Sequence, residues 1–549
     1  MQEIKSSEKE LGKTYIPNLV EDKWYPIWEK SNAFKPAEND ADSFTLMIPP
    51  PNVTGILTMG HVLNISIQDV LVRRARMQGK NTLWLPGMDH ASIATEAKVT
   101  QMLKEKNINK QEIGREKFMK HAWKWKEKYG GIIIQQLKKL GASCDWDREI
   151  FTMDANYSNA VLEVFVKLYK DGLIYKGERI INWDPQGKTA LSDEEVIYRE
   201  TKGHLWHFRY PLKGEKEYIV VATTRPETML GDTGIAVNPK DKRYKTLIGK
   251  SVILPIVNRE IPIFADEYVD MEFGTGCVKV TPAHDTNDFN MGMRHKLELI
   301  NIFHPDATLN DNTPENYQGL DRFAARDKVI QELDSLGLLD KIEEYENSVG
   351  HSERTNAIVE PYLSKQWFVK MKPMADMALQ VVKKGEVKIY PERWVKTYNH
   401  WLENIKDWCI SRQLWWGHRI PVWYCRGNDI GHCDINCKEP IVSIEKPDCC
   451  PTCGSKDLIQ DPDILDTWFS SWLWPFATLG WPEENEDLNK FYPTQDLVTG
   501  PDIIFFWVAR MIMAGKYFCN DIPFSNVYFT GIIRDSEGRK MSKSLEFLN

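Results

Sequence analysis

The stretch from Phe44 to Gly87 places two short apolar runs on either side of a helical pattern. "FTLMI" at 44–48 ends at three prolines, which suits a buried strand. A helical pattern follows over about 61–78, and "NTLWLPG" at 81–87 is predicted to be the next strand. Strand, helix and strand in so short a stretch form a βαβ unit, which requires a parallel sheet. We therefore expect an α/β fold.

The rest of the chain indicates more than one domain. A chain of 549 residues exceeds the roughly 250–300 residues that one core serves. Between about 204 and 290 short β-rich runs replace the α/β pattern and are punctuated by Gly and Pro. We predict three parts: residues 1–190 and 350–549 as two halves of one α/β domain, and residues 195–345 as a β-rich insertion.

Charge and hydropathy limit the classes of protein. The net charge of −8 argues against a general nucleic-acid coat, although a local basic groove stays possible. The N-terminal "MQEIKSSEKELGKTY" has no apolar signal region, and no run approaches about 18 apolar residues. We expect a cytoplasmic protein with no membrane span.

Six of the ten cysteines crowd into residues 425–453. In a protein that is not secreted, such crowding favours a metal site over disulfides. Cys450 and Cys453 have the spacing of a zinc knuckle, and Cys433 with Cys437 is the predicted partner pair. We expect a structural Zn²⁺ in a small knuckle over 423–458; free thiols are the alternative.

Two segments suit phosphate chemistry. "PPPNVTGILTMGH" at 49–61 leads into Gly60 and His61 at a helix start, where free amides attract phosphate. "GRKMSKSLEFLN" at 538–549 carries Lys540 and Lys543, whose ammonium groups act as point charges for phosphate. Taken singly, each has a plainer interpretation: an ordinary strand–turn–helix with an exposed histidine, and a solvated charge run.

Together the two segments resemble the His-Ile-Gly-His and Lys-Met-Ser-Lys-Ser signatures of class I aminoacyl-tRNA synthetases. Other segments narrow the resemblance to the valyl-tRNA synthetases, and they read "GMDHASIATEAKV" (87–99), "NWDPQGKTALSDEEV" (182–196), "ATTRPETMLGDTGIAVNP" (222–239), "GTGCVKVTPAHDTNDF" (274–289), "ISRQLWWGHRIPVWY" (410–424) and "DILDTWFSSWLWP" (463–475). The resemblance runs from about 12 to 544. It implies a Rossmann-type catalytic domain split by an editing insertion.

The resemblance implies a two-step reaction. Valine and ATP, with Mg²⁺, give valyl-adenylate and pyrophosphate, and the valyl group then passes to tRNA(Val). His61 would assist at the α-phosphate, and the two lysines would stabilise the departing pyrophosphate. The implied catalytic and ATP-binding residues are Thr58, Gly60, His61, Lys540, Ser542 and Lys543.

An apolar pocket for valine is implied as well, with Asp89 pairing with the α-amino group. Its residues would be Pro50, Asn52, Asp89, Trp468, Ile503 and Trp507. For the two tryptophans, core packing is the plainer interpretation. A hydrophobic pocket rejects the nearly isosteric threonine poorly, a weakness for which valyl-tRNA synthetases are the standard illustration.

A hydrolytic second site is therefore expected in the insertion. Asp288 would clamp the α-amino group of misattached threonine, and Arg225 and Lys279 would face the tRNA terminus. The implied editing residues are Thr223, Thr224, Arg225, Thr228, Lys279, Thr281, Asp285 and Asp288. A surface loop of mixed charge is the alternative. Relatives that bind zinc often have their first ligand after "VWY", so Cys425 could replace Cys433.

The sequence departs from the family pattern at two places. Thr58 stands where the family usually has histidine, which predicts slower adenylation. After "SKSL" the family usually continues into an anticodon-binding region that this sequence does not include, whether that region was left out, lies on another chain or was lost. We therefore expect the loop at 538–545 to be mobile without ATP. These departures leave a second hypothesis open, a catalytically impaired remnant acting as a binding module. Either form is expected to be a monomer.

Overall fold

The computed structural model describes residues 14–37, 39–426, 437, 439–536, 538 and 541. A five-stranded sheet forms its centre, and every pair of neighbouring strands in it is parallel. In spatial order its strands are Lys388–Tyr390, Phe524–Phe529, Thr494–Thr499, Ser43–Met47 and Asn81–Leu85. The predicted parallel α/β fold is confirmed.

The two chain halves meet in the middle of this sheet. Ser43–Met47 pairs with Asn81–Leu85 on one side and, through Leu46 and Asp496, with Thr494–Thr499 on the other. After Ser43–Met47 the chain continues to Asn81–Leu85 on one side of the sheet. After Thr494–Thr499 it continues to Phe524–Phe529 on the other side. Ligands of open α/β sheets bind at such a switch point, outside the carboxyl ends of the strands.

Both faces of the sheet are buried because side chains alternate along each strand. Leu46 and Trp84 pack in one core with the helices Met59–Met77 and Lys110–Lys139. Met47, Leu83 and Leu85 face a second, larger core. The remaining α-helices are Pro17–Lys30, Ser92–Glu105, Ala155–Lys170, Thr286–His295, Arg322–Ser335, Lys372–Lys383, Trp394–Glu403, Thr467–Ser471, Trp474–Ala477, Glu486–Phe491 and Arg510–Ala514.

The insertion is joined to the rest through a long antiparallel ribbon. Val196–Pro211 pairs with Leu339–Ser352, from Val196 opposite Ser352 to Phe208 opposite Leu339, and Tyr218–Thr223 adds a third strand. A four-stranded sheet follows, in the order Ser251–Leu254, Arg259–Ala265, Gly234–Val237 and Cys277–Val280. These strands surround a separate hydrophobic core. The domain boundaries stay a prediction.

Smaller sheets connect these parts. One contains Trp408–Cys409, Glu360–Val369, Ile174–Asp184 and Thr189–Leu191, and another Ile441–Val442, Val422–Cys425 and Leu458–Gln460. Two-stranded pairs are Ser411–Arg412 with Ile464–Leu465 and Gly87–Met88 with Ile150–Phe151. Among the described residues, no helix combines the length and apolar character needed to cross a bilayer.

Candidate functional site

A cleft of about 1550 Å³ opens at the carboxyl edge of the central sheet. Segments that follow four of its strands line this cleft, and they are 49–61, Asp89 with Ala91, Gly500–Ile503 and Thr530–Ile533. It therefore lies at the switch point where the topology places a ligand site.

The proline-rich motif is fixed in this cleft by backbone hydrogen bonds. Val53 N donates to the Asp89 carbonyl at 3.2 Å, and Asp89 N donates to the Pro51 carbonyl at 3.1 Å. From the helix Lys110–Lys139, Trp125 Nε1 donates to the Val53 carbonyl at 2.8 Å. These contacts hold the motif and Asp89 in one rigid unit.

Thr58 and His61 contact each other at the start of the helix Met59–Met77. Thr58 N donates to His61 Nδ1 at 3.1 Å, and Thr58 Oγ1 lies 2.8 Å from the same nitrogen. Because Nδ1 accepts the amide hydrogen, the neutral ring carries its proton on Nε2. His61 therefore carries its N–H on Nε2 and lies at the helix N-terminus, where the dipole favours an anion.

The Asp89 carboxylate accepts three hydrogen bonds. Its donors are Ala91 N at 2.6 Å, Thr467 Oγ1 at 2.7 Å and the Ser471 hydroxyl. Burial raises the pKa of Asp89, and these donors oppose that rise. Since an ionised carboxylate accepts about four hydrogen bonds, a capacity for one more donor remains. Our sequence reasoning missed Thr467 and Ser471, although both lie within the quoted "DTWFSS".

The predicted pocket residues all line the cleft. Trp468 stacks on Phe506 at 5.1 Å between ring centroids with an interplanar angle of 18°. Trp507 is only 1% exposed and donates from Nε1 to the Ser471 carbonyl at 2.9 Å, so it belongs to the core as well as to the wall. Pro50 and Ile503 are half-buried, whereas Asn52 is exposed.

The second signature is described only in part. Lys540, Ser542 and Lys543 lie outside the described residues, as does most of the predicted loop over 538–545. Met541, between the two lysines, lines the same cleft as His61, and its N donates to the Ile533 carbonyl at 3.1 Å. Residues from both signatures thus meet at one site.

In the insertion, Lys279 contacts two of the other predicted residues, Thr228 and Thr281. The Lys279 ammonium donates to Thr228 Oγ1 at 2.8 Å, Asp232 Oδ1 at 3.0 Å and Thr281 Oγ1 at 2.6 Å. Asp232, which our sequence analysis missed, also accepts from Tyr210 Oη at 2.8 Å. Lys279 is buried and its three donors have protein acceptors, so a tRNA end facing it would compete with them.

Asp285 and Asp288 lie at the start of the helix Thr286–His295. Asp285 caps that helix by accepting from Asn287 N and Asp288 N. Asp288 Oδ2 accepts from Thr281 N at 2.8 Å. Burial, and then the neighbouring Asp285 charge, raise the pKa of Asp288 to about 7. A substrate ammonium beside Asp288 would favour its ionised form.

Arg225 is half-buried and is held by contacts within the protein. Its guanidinium pairs with Glu360 and donates to the His284 carbonyl at 2.9 Å. Glu360, which begins a strand outside the insertion, also pairs with Arg322 at 2.6 Å. Thr223 Oγ1 accepts from Arg225 N at 3.0 Å, and the neighbouring Thr224 is half-buried. The expectation that Arg225 faces a tRNA terminus stays a prediction.

Four cysteines converge in the predicted knuckle. The Sγ atoms of Cys425, Cys437, Cys450 and Cys453 lie within 4.8 Å of one another, with 3.5 Å between Cys425 and Cys453 and 3.8 Å between Cys437 and Cys450. In a ZnS₄ tetrahedron with Zn–S of about 2.3 Å, the S–S edge is about 3.8 Å, so the donor set fits Zn²⁺. Cys433 lies outside the described residues.

The sequence was compared with models of known protein families. The model of the family described as tRNA synthetases class I (I, L, M and V) matches residues 23–548. The chain belongs to this family.

Particular relatives point to one branch of it. The valine–tRNA ligase of Fusobacterium nucleatum is 57% identical over 541 residues, and that of Clostridium tetani 56% over 536. These alignments cover 98% and 97% of this chain but 60% of each relative, so the chain spans about three-fifths of their length.

A solved structure shares the fold. The LeuRS of Agrobacterium radiobacter K84, in a ternary complex with tRNA and LeuAMS, superposes with a TM-score of 0.50 at 20% identity. The superposition covers 97% of this chain and 70% of that one.

Proposed function

We propose that the chain carries the valine-activating and editing parts of a valine–tRNA ligase. The observation that carries the proposal is the single cleft, in which the His61 motif, buried Asp89 and Met541 of the second signature meet at the switch point of the sheet. The names of the relatives that match at 56–57% identity support valine as the amino acid.

In the first step the valine carboxylate attacks the α-phosphate of ATP in line and pyrophosphate leaves. Asp89 binds the α-amino group, and the apolar wall of Trp468 and Ile503 accepts the side chain. His61 donates from Nε2 to charge that develops on the α-phosphate. Lys540 and Lys543 neutralise the pyrophosphate, and Mg²⁺ supplies further neutralisation when ATP is bound. The valyl group then passes to tRNA(Val).

The insertion hydrolyses threonyl-tRNA(Val). Asp288 in its ionised form binds the threonyl ammonium, while the buried Lys279–Asp232–Thr281 cluster fixes the strand from which Thr281 N reaches Asp288. This site compensates for a pocket that cannot exclude threonine by shape.

Structural Zn²⁺ would be held by Cys425, Cys437, Cys450 and Cys453. Cys425 ends the strand Val422–Cys425 and pairs there with Leu458 of the strand Leu458–Gln460. A closed tetrathiolate site stabilises the fold and leaves no open position for chemistry. We further infer that the protein acts as a monomer in the cytoplasm, where thiols stay reduced.

ATP–pyrophosphate exchange driven by valine tests the proposal, because that step needs no tRNA. We expect exchange with valine, weaker exchange with threonine, and a large loss on Asp89→Asn. Folded protein with no valine-dependent exchange would favour the non-catalytic binding module instead.

A further inference from the structure

The helix Lys110–Lys139 carries charge of the opposite sign to the protein as a whole. It contains nine basic and three acidic residues, in a chain whose net charge is −8. After a bend at Gly114, where φ is +74°, four exposed lysines follow at positions 117, 120, 124 and 128. At 100° per residue they fall within a sector of about 80° and extend over about 16 Å of helix. We call them the lysine stripe.

The lysine stripe has no acidic partners within the described part of the chain. The basic residues at the helix ends are paired: Lys110 with Glu96, Lys138 with Glu29, and Lys139 with Glu21 and Asp22. No ion pair within 4.0 Å is found for the four stripe lysines among the residues described. Lys120, Lys124 and Lys128 also repel one another at i, i+4 spacing, which costs roughly 0.2–0.5 kcal/mol per pair.

The opposite face of the helix fixes the stripe relative to the cleft. Phe118, Ala122, Ile133 and Leu137 are buried in the core. Trp125 Nε1 bonds the Val53 carbonyl, and Leu57 N donates to Gln136 Oε1 at 2.9 Å. A polyanion bound on the stripe would therefore be held at a fixed position relative to the His61 motif.

We propose that the lysine stripe binds the sugar-phosphate backbone of the RNA substrate. This inference rests on the proposed function, which supplies tRNA as the polyanion. A row of ammonium groups spread over about 16 Å of helix suits repeated phosphates rather than a single anion. A membrane surface is disfavoured because a helix that binds lipid needs a free apolar face, and this one is buried in protein.

Binding of a tRNA(Val) transcript, followed by fluorescence anisotropy between 50 and 200 mM salt, tests the proposal. The test variant is K117Q/K120Q/K124Q/K128Q, since glutamine keeps the helix propensity of lysine. The control K372Q/K383Q/K384Q/K396Q removes the same charge from other exposed lysines. We expect the slope of log K against log salt to fall in magnitude by about 3 in the test variant, at about 0.7–0.9 per lost phosphate contact, and by less than 1 in the control.

Circular dichroism and valine-dependent exchange should be unchanged in the test variant, which separates this inference from the proposed function. If the wild type showed no valine-dependent ATP–pyrophosphate exchange but bound the transcript through the stripe, only the proposed function would be contradicted. Equal slopes in the two variants, or no binding of the transcript by the wild type at 50 mM salt, would overturn the stripe. The proposal would also be overturned if the test variant kept its binding of the transcript and lost only the binding of polyglutamate or of anionic vesicles, because the stripe would then serve another polyanion.

Discussion

At the scale of single residues, the local motifs were readable and their partners were not. His61 lies in a segment that suits phosphate binding by its own residues, whereas Asp89 and Lys279 are predicted only through the segments that carry the family resemblance. Asp232 and Glu360 are ordinary acidic residues in the sequence, and only folding brings them to Lys279 and Arg225. Pairing between residues this far apart leaves no local signal to read.

Thr58 is predicted to limit the activation step. Its hydroxyl is neutral and lies against His61 Nδ1. Thr58→His adds a donor that can carry positive charge, and one charge-assisted bond is worth about 1.5–3 kcal/mol, so we expect valine-dependent exchange to rise by about 10- to 150-fold. Thr58→Asn keeps a good helix cap without charge and should leave the rate near that of the wild type. An unchanged rate in Thr58→His contradicts this explanation.

Editing should depend on the ionisation of Asp288. The free enzyme carries this carboxyl with a pKa raised to about 7 by burial and by Asp285. In the proposed role the ionised form binds the threonyl ammonium, so kcat/KM for threonyl-tRNA deacylation, corrected for spontaneous hydrolysis, should increase as pH rises through about 7. Asp285→Asn keeps the helix cap and removes a charge that raises this pKa, so its profile should shift to lower pH. A profile that does not move rules this role out.

At the scale of elements, pattern and structure agree closely. The predicted strands at 44–48 and 81–87 appear as Ser43–Met47 and Asn81–Leu85, followed by the short strand Gly87–Met88, and the helix between them as Met59–Met77. The ribbon Val196–Pro211 was not predicted, because much of it is exposed on both faces and lacks hydrophobic alternation. The cysteine spacing alone could not choose between Cys425 and Cys433, since strand pairing decides which thiol reaches the others.

Zinc content distinguishes the two cysteines. Cys425→Ser removes one of four convergent thiols. Atomic absorption on freshly purified protein should therefore detect zinc in the wild type and none in this variant. Cys433→Ser should retain zinc, as should Cys449→Ser, which changes an exposed neighbour. Loss of zinc in Cys433→Ser with retention in Cys425→Ser would reverse the ligand assignment.

At the scale of the whole molecule, the chain carries two separate candidate sites. The insertion has its own core, and it contacts the rest of the chain through the ribbon, the Arg225–Glu360–Arg322 cluster and a small apolar cluster that contains Phe289 and Leu363. Removing one partner of a buried ion pair lowers the free energy of unfolding by about 3–5 kcal/mol. Because two of the three charged residues belong to the insertion, we expect a change in this cluster to affect editing and not valine activation.

Glu360→Gln tests this separation. It leaves the buried Arg322 and the half-buried Arg225 facing a neutral group, so we expect threonyl-tRNA deacylation to fall at least tenfold and valine-dependent exchange to stay unchanged. Glu344→Gln, which changes an exposed carboxylate on the same ribbon, is the control and should affect neither rate. A parallel fall of both rates in Glu360→Gln would show general destabilisation instead.

The central claim is that both halves of the chain build one site for valyl-adenylate at the switch point of the sheet. A crystal structure with a non-hydrolysable valyl-sulfamoyl adenosine tests it most directly. We predict the α-amino nitrogen within hydrogen-bond distance of Asp89, the sulfamoyl group at His61 Nε2 and the valine side chain against Trp468. Electron density for the analogue elsewhere, or its amino group turned away from Asp89, would contradict the account.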